Sequence, residues 1–140
     1  MNHRPQQAGF TLIELLLVVV IIGILAAIVV PKLAGRSEDA RISKAKGDIA
    51  TFRGQLGAYE VDNGKYPTSD QGLKALLVKP ATPPEPKGWK GPYIEGTDLS
   101  KDSWGNDYQY FYPGIKNSAG YDLFSFGPDG QGGTEDDIYQ

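Results

Sequence analysis

The chain has 140 residues, of which 40% are hydrophobic and 22% charged, with a formal net charge of -3, one histidine (His3) and no cysteine. No basic surplus suggests nucleic-acid binding, the lack of cysteine excludes zinc fingers, disulfide scaffolds and thiol nucleophiles, and a lone His3 argues against a Ser-His-Asp triad or a histidine-rich metal site. One apolar block and eight tyrosines exclude full disorder, and a single block excludes a polytopic membrane protein, which leaves a small non-enzymatic protein with one membrane segment.

Met1–Gly9 is a short polar leader, MNHRPQQAG, and Leu15–Val30 contains no polar side chain. Phe10–Val30 spans 21 residues, about 31 Å of helix, which matches a bilayer core. A cleaved secretory signal would have an apolar region of about 7–15 residues followed by small residues; here Ile28, Val29 and Val30 follow Ala26-Ala27. Glu14 stands out. It is tolerable in the first helical turn near a headgroup region, where the helix dipole favours an acid. The sharper reading is a positive partner supplied on assembly, such as the α-amino group of a neighbour's Phe10.

The run Gly9-Phe10-Thr11-Leu12-Ile13-Glu14, with the apolar stretch behind it, resembles the type IV pilin signature. The resemblance implies cleavage by a prepilin peptidase between Gly9 and Phe10 on the cytoplasmic side, N-methylation of Phe10, alignment of subunits by Glu14 and a helix bend at Pro31. Lys and Arg are expected on the cytoplasmic flank. The leader offers only Arg4 and the α-amino group, whereas Lys32, Arg36 and Arg41 follow the segment. The cytoplasmic N-terminus and periplasmic C-terminal domain are therefore implied by the resemblance and not by charge.

Beyond Pro31, Ile42, Ala45, Ile49, Phe52, Leu56 and Tyr59 recur at spacings of three and four, one face of a helix. Lys44, Lys46, Asp48, Arg53 and Gln55 form the solvated face. Asn63-Gly64 stops the helix, because Gly accepts a positive φ. One long, bent helix from Phe10 to about Asp62 is predicted. The stripe is too short for a coiled coil and is expected to pack on the chain's own sheet. Gln71–Val78 reads as a short helix, and the proline-rich Lys79–Gly91 as a loop. Tyr93-Ile94, Asp107–Tyr112 and Tyr121–Phe126 read as strands separated by turn signals. Trp89 and Trp104 are expected to anchor the core or its loops.

Phe126–Ile138 holds Asp129, Glu135, Asp136 and Asp137 among glycines. Crowded acids repel unless a cation sits among them, and oxygen donors without His or Cys suit Ca²⁺. The EF-hand pattern is broken at Gln131 and Gly133. Composition alone leaves a metal loop and a solvated acidic tail equally open.

Tyr66-Pro67-Thr68, Gln71-Gly72-Leu73, Trp89-Lys90-Gly91-Pro92-Tyr93, Asp102-Ser103-Trp104-Gly105-Asn106 and the stretch from Asp129-Gly130 to Asp136-Asp137-Ile138 resemble the major pseudopilins of type II secretion systems, within the type IV pilin-like family. The similarity runs from Gly9 onward. It implies an α+β fold: a long bent N-terminal helix, its first half transmembrane, packed against a small antiparallel sheet with a C-terminal metal-binding loop. The implied divisions are leader 1–9, transmembrane and filament-core helix 10–30, amphipathic continuation 31–63 and periplasmic globular region 64–140. The implied Ca²⁺ donors are the side chains of Asp129, Asp136 and Asp137 and the carbonyls of Phe126 and Thr134; Glu135 and Asp122 are weaker candidates. The implied function is a homopolymer, the pseudopilus, that drives folded exoproteins through an outer-membrane secretin. Its implied partners are minor pseudopilins, an inner-membrane assembly platform, a cytoplasmic secretion ATPase and prepilin peptidase. Two rivals are a type IV pilin building an adhesion or motility fibre, and a membrane-tethered enzyme using the paired carboxylates. The fibre-forming pilins usually close a C-terminal loop with a disulfide, which a chain without cysteine cannot form.

Overall fold

The computed structural model describes residues 9–139, with the side chains of residues 29–36 left out. The leader before Gly9, including Arg4, lies outside the described residues, and the bend expected at Pro31 falls among side chains that are not described. The fold is α+β. Its elements are helix α1 (Leu12–Asn63), a one-turn 3₁₀ helix (Leu73–Leu76), and strands β1 (Gln109–Phe111), β2 (Asp122–Ser125) and β3 (Ile138–Tyr139). The chain divides into two units, the first ending at Glu38 and the second beginning at Asp39.

In the first unit the apolar side chains of α1 from Leu12 to Ile28 are all exposed, 84% at Leu12 and 54% at Ile28. Among the described residues no helix is long and apolar enough to cross a membrane; the apolar run of the sequence continues through Val29 and Val30.

In the second unit the predicted stripe is the core. Ala45, Ile49, Phe52, Leu56 and Tyr59 are buried, with Ile42 partly so, against Leu73, Leu76, Tyr108, Tyr110, Leu123 and Ile138. The large side chains recur every three or four residues, so they stack along one side of the helix. The opposite side carries Ser43, Gly47, Ala50 and Gly54, all exposed. Asp48 is less solvated than expected: its carboxylate accepts from the Lys44 ammonium (2.7 Å) and the Tyr108 hydroxyl (2.8 Å). Gly64 ends the helix with φ of 77°, and its N–H donates to the Glu60 carbonyl at 2.7 Å.

The sheet is antiparallel in the order β1-β2-β3. Tyr110 pairs with Leu123, and Ser125 with Ile138; these residues belong to the buried face. The outer face is aromatic: Phe124 stacks on Tyr139 (4.7 Å between centroids) and on Phe111 (6.2 Å), and the Lys116 ammonium lies 3.5 Å from the Tyr139 ring centre. Every residue of β2 is therefore buried, including the polar Asp122 and Ser125.

Several elements differ from expectation. The helix predicted over Gln71–Val78 shrinks to a 3₁₀ turn, because Gly72 takes a non-helical backbone with φ of 57° and ψ of -168°; the Gln71 side-chain amide donates to the carbonyls of Thr82 (2.7 Å) and Pro84 (3.1 Å) and tethers the proline loop. Tyr93-Ile94 is not a strand. The Tyr93 N–H donates to the Leu76 carbonyl (2.7 Å) and its hydroxyl to Asp62 (2.9 Å), so this segment clamps the end of α1. The Lys90 ammonium, 2.8 Å from Asp62, joins that clamp, and Lys90 foremost, then Tyr93, holds the Asp62 carboxyl below the usual carboxylate range. Strand β3 was not predicted. Trp89 anchors its loop, donating its indole N–H to the Ala75 carbonyl at 3.0 Å.

Asp122 closes the β1–β2 connection. Its carboxylate accepts from the N–H groups of Ile115 (2.6 Å), Lys116 (2.7 Å) and Asn117 (2.9 Å). Burial alone would raise its pKa, but these three bonds outweigh burial and hold it below the ordinary value. A depressed folded pKa contributes stability that is complete above the unfolded value of about 4 and is lost as pH falls through the folded value. The Asp122→Asn variant is expected to be less stable at pH 7, yet to lose less further stability than wild type between about pH 5 and pH 2, as read by urea unfolding across pH. For the core, Leu56 is 0% and Val61 85% exposed. Leu56→Ala is expected to cost about 2–5 kcal/mol and Val61→Ala no more than about 0.5 kcal/mol in the same assay; equal losses would refute the stripe as core.

Candidate functional site

Two places carry the candidate residues, one at the start of α1 and one in the loop between β2 and β3. At the first, Gly9 and Phe10 precede the helix and are exposed, Phe10 at 88%. The Glu14 carboxylate is not idle. Its Oε2 accepts from both the N–H and the hydroxyl of Thr11, each at 2.8 Å, while the Glu14 N–H donates to Thr11 Oγ1 at 3.3 Å. This reciprocal pair is a capping box, which satisfies N–H groups that a helix start otherwise leaves unpaired. Thr11 is thus a functional residue that the sequence reading passed over. The signal was present in Thr11-Leu12-Ile13-Glu14 followed by an apolar run, the pattern of such a cap.

The second place is the acidic loop. Its carboxylates are held by the loop's own donors. Asp129 Oδ1 accepts from the Gln131 N–H (2.8 Å). Asp136 Oδ2 accepts from the Asp129 N–H (3.1 Å), and Asp136 Oδ1 lies 2.7 Å from the Thr134 hydroxyl. Thr134 foremost, and the Asp129 amide, keep the Asp136 carboxyl below the usual carboxylate range against the opposing effect of burial. Asp137 Oδ2 accepts from the Gly133 N–H (2.8 Å). Asp137 Oδ1 differs: it is buried and has no hydrogen-bond partner. A buried oxygen without a donor is costly and calls for an ion or water.

Among the described residues, no three His, Cys, Asp or Glu side chains converge closely enough to hold a metal between them. The loop nevertheless suits a hard cation by its chemistry. Its donors are carboxylates and carbonyls, and the orphaned Asp137 oxygen is the kind of group a cation satisfies. Gly127 makes the approach of the loop's two ends possible: its φ is 68°, and a Cβ there would lie 2.3 Å from the Asp136 carbonyl oxygen. Both oxygens of Asp122 accept N–H groups of residues 115–117. Glu135 is exposed.

Residues 32–140 match the family model described as Type II secretion system (T2SS), protein G, and residues 4–30 match the prokaryotic N-terminal methylation motif. The chain is 49% identical over 137 residues to the type II secretion system core protein G of Pseudomonas aeruginosa, covering 96% of this chain and 94% of that one. It is 51% identical over 136 residues to the protein of the same name from Vibrio cholerae, covering 96% and 90%. The crystal structure of the major pseudopilin from the type 2 secretion system of enterohaemorrhagic Escherichia coli superposes with a TM-score of 0.69 at 41% identity, covering 77% of this chain and 88% of that one. These matches favour the secretion branch over the fibre-forming pilins and leave no place for the enzyme reading. The chain belongs to the protein G family of type II secretion systems, the family of the major pseudopilins, whose members are structural subunits and not enzymes.

Proposed function

We propose that this chain is the repeating subunit of a type II secretion pseudopilus. It is made as a precursor, cut by prepilin peptidase between Gly9 and Phe10, and methylated on the new Phe10 amino group. It waits in the inner membrane, N-terminus in the cytoplasm and globular region in the periplasm. It then polymerises with its own kind and with minor pseudopilins, driven by the assembly platform and the cytoplasmic ATPase, to push folded exoproteins through the secretin. The observation that carries this reading is the apolar helix from Leu12 to Ile28, every side chain of which is exposed in the single chain. So large an apolar surface requires lipid or neighbouring copies to cover it, and the apolar sequence extends to Val30. Leaving lipid for the centre of a filament keeps that surface away from water.

In this reading Glu14 exchanges its Thr11 cap for the Phe10 amino group of the next subunit, because a carboxylate among apolar helices is costly without a positive partner. The variants Glu14→Ala and Glu14→Gln separate charge from capping, since Gln retains the capping box. Both are expected to be processed normally and to yield no filaments by electron microscopy. Normal filaments from Glu14→Gln would overturn the pairing.

The acidic loop is assigned Ca²⁺, held by the side chains of Asp129, Asp136 and Asp137 with the Phe126 and Thr134 carbonyls. When bound, the ion supplies positive charge that offsets the repulsion of the crowded acids and ties the two ends of the loop together. The orphaned Asp137 oxygen supports this assignment. Free Ca²⁺ at about 100 times its Kd stabilises by about 2.7 kcal/mol, a Tm rise on the order of 10 °C for a domain of this size. Asp136→Ala is expected to abolish that rise; equal Tm values for wild type in Ca²⁺ and in chelator would refute the metal site.

A further inference from the structure

The turn Asp102-Ser103-Trp104-Gly105-Asn106 belongs neither to the start of α1 nor to the acidic loop. It is hydrogen-bonded to Ser125, at the end of the strand that leads into the acidic loop. Asp102 is buried, and its carboxylate accepts three hydrogen bonds: from the N–H groups of Trp104 (3.0 Å) and Asn106 (2.8 Å) and from the Ser125 hydroxyl (2.6 Å). Ser125 is 0% exposed at the end of β2, and its oxygen in turn accepts from the Gly127 N–H at 3.0 Å. The same turn meets the loop a second time, where the Asn106 side chain lies 3.5 Å from the position a Cβ on Gly130 would take.

The consequence follows from peptide geometry. The Gly127 N–H and the Phe126 carbonyl belong to one planar trans unit, so they point in opposite directions. Fixing that N–H inward on Ser125 aims the Phe126 carbonyl away from Ser125, and Gly127 itself packs closely on the Asp136 backbone. We propose that Asp102 and Ser125 are positioning residues for the metal loop: through the buried chain Asp102–Ser125–Gly127 they preset the Phe126 carbonyl as a donor, and the Ca²⁺ affinity of the loop depends on them although neither is a ligand. This inference rests on the Ca²⁺ reading. Coupling of this kind is reciprocal, so bound Ca²⁺ tightens the turn at the Trp104 and Asn106 amides.

The test titrates Ca²⁺ into the full chain in detergent micelles by calorimetry. Ser125→Ala is expected to weaken Ca²⁺ binding at least tenfold. Leu73→Ala, a buried core change remote from the turn in sequence, is expected to lower Tm yet keep the affinity within twofold of wild type. If wild type binds no Ca²⁺, the metal reading and the positioning role both fall. If wild type binds and Ser125→Ala stays within twofold, the metal reading stands and the positioning role is overturned; an equal loss of affinity in Leu73→Ala overturns it as well. A second measurement needs no variant. In wild type, Ca²⁺ is expected to slow hydrogen exchange at the Trp104 and Asn106 amides at least threefold more than at the Tyr93 amide, and equal slowing would overturn the proposal even if Ser125→Ala failed to fold.

Discussion

The globular region depends on a single apolar face, the side of α1 that runs from Ala45 to Tyr59. A three-stranded sheet whose last strand has two residues cannot bury enough surface to stand alone. It persists because Tyr108, Tyr110, Leu123 and Ile138 close over Ile49, Phe52 and Leu56. Fully burying an aliphatic side chain of this size stabilises by about 1.5–3 kcal/mol, so a few such residues outweigh the modest contribution of the short strand ladders. The aromatic pairs add direction to that burial. Phe52 meets Tyr108 edge to face at 5.2 Å, and the Tyr110 hydroxyl donates to the Pro67 carbonyl at 2.8 Å, so the sheet is held both to α1 and to the segment that follows it.

Around this packed centre, carboxylates staple irregular segments, Asp102 and Asp122 being buried and Asp62 half-buried. Asp122 gathers three N–H groups of the β1–β2 connection, and Asp102 gathers two from its own turn and the Ser125 hydroxyl. Asp62, at the end of α1, holds Lys90 and Tyr93. Each acid serves donors that long loops would otherwise leave unsatisfied. A chain with ten prolines and eighteen glycines can therefore keep a defined shape with little regular secondary structure beyond α1.

The helix and its stripe were legible because their signal is periodic and local: spacings of three and four over eighteen residues have one structural meaning. The pilin-like start was legible because several specific residues occur together. Strand β3 was not legible, because Ile138-Tyr139 is too short to show alternation and follows directly on the acids. The 3₁₀ turn was misjudged because Gly72 leaves the helical region inside the predicted span, a freedom glycine has and a periodic pattern does not display. For the acidic loop, composition reached the donor chemistry and stopped there. The orphaned oxygen of Asp137, and the relay through Ser125, depend on side-chain directions that only the folded chain supplies.

The exposure of α1 from Leu12 to Ile28 has a thermodynamic corollary. Covering that surface from water is entropy-driven near room temperature and weakens on cooling. Whatever covers it, the association is favoured by warmth and by excluded salts such as sulfate.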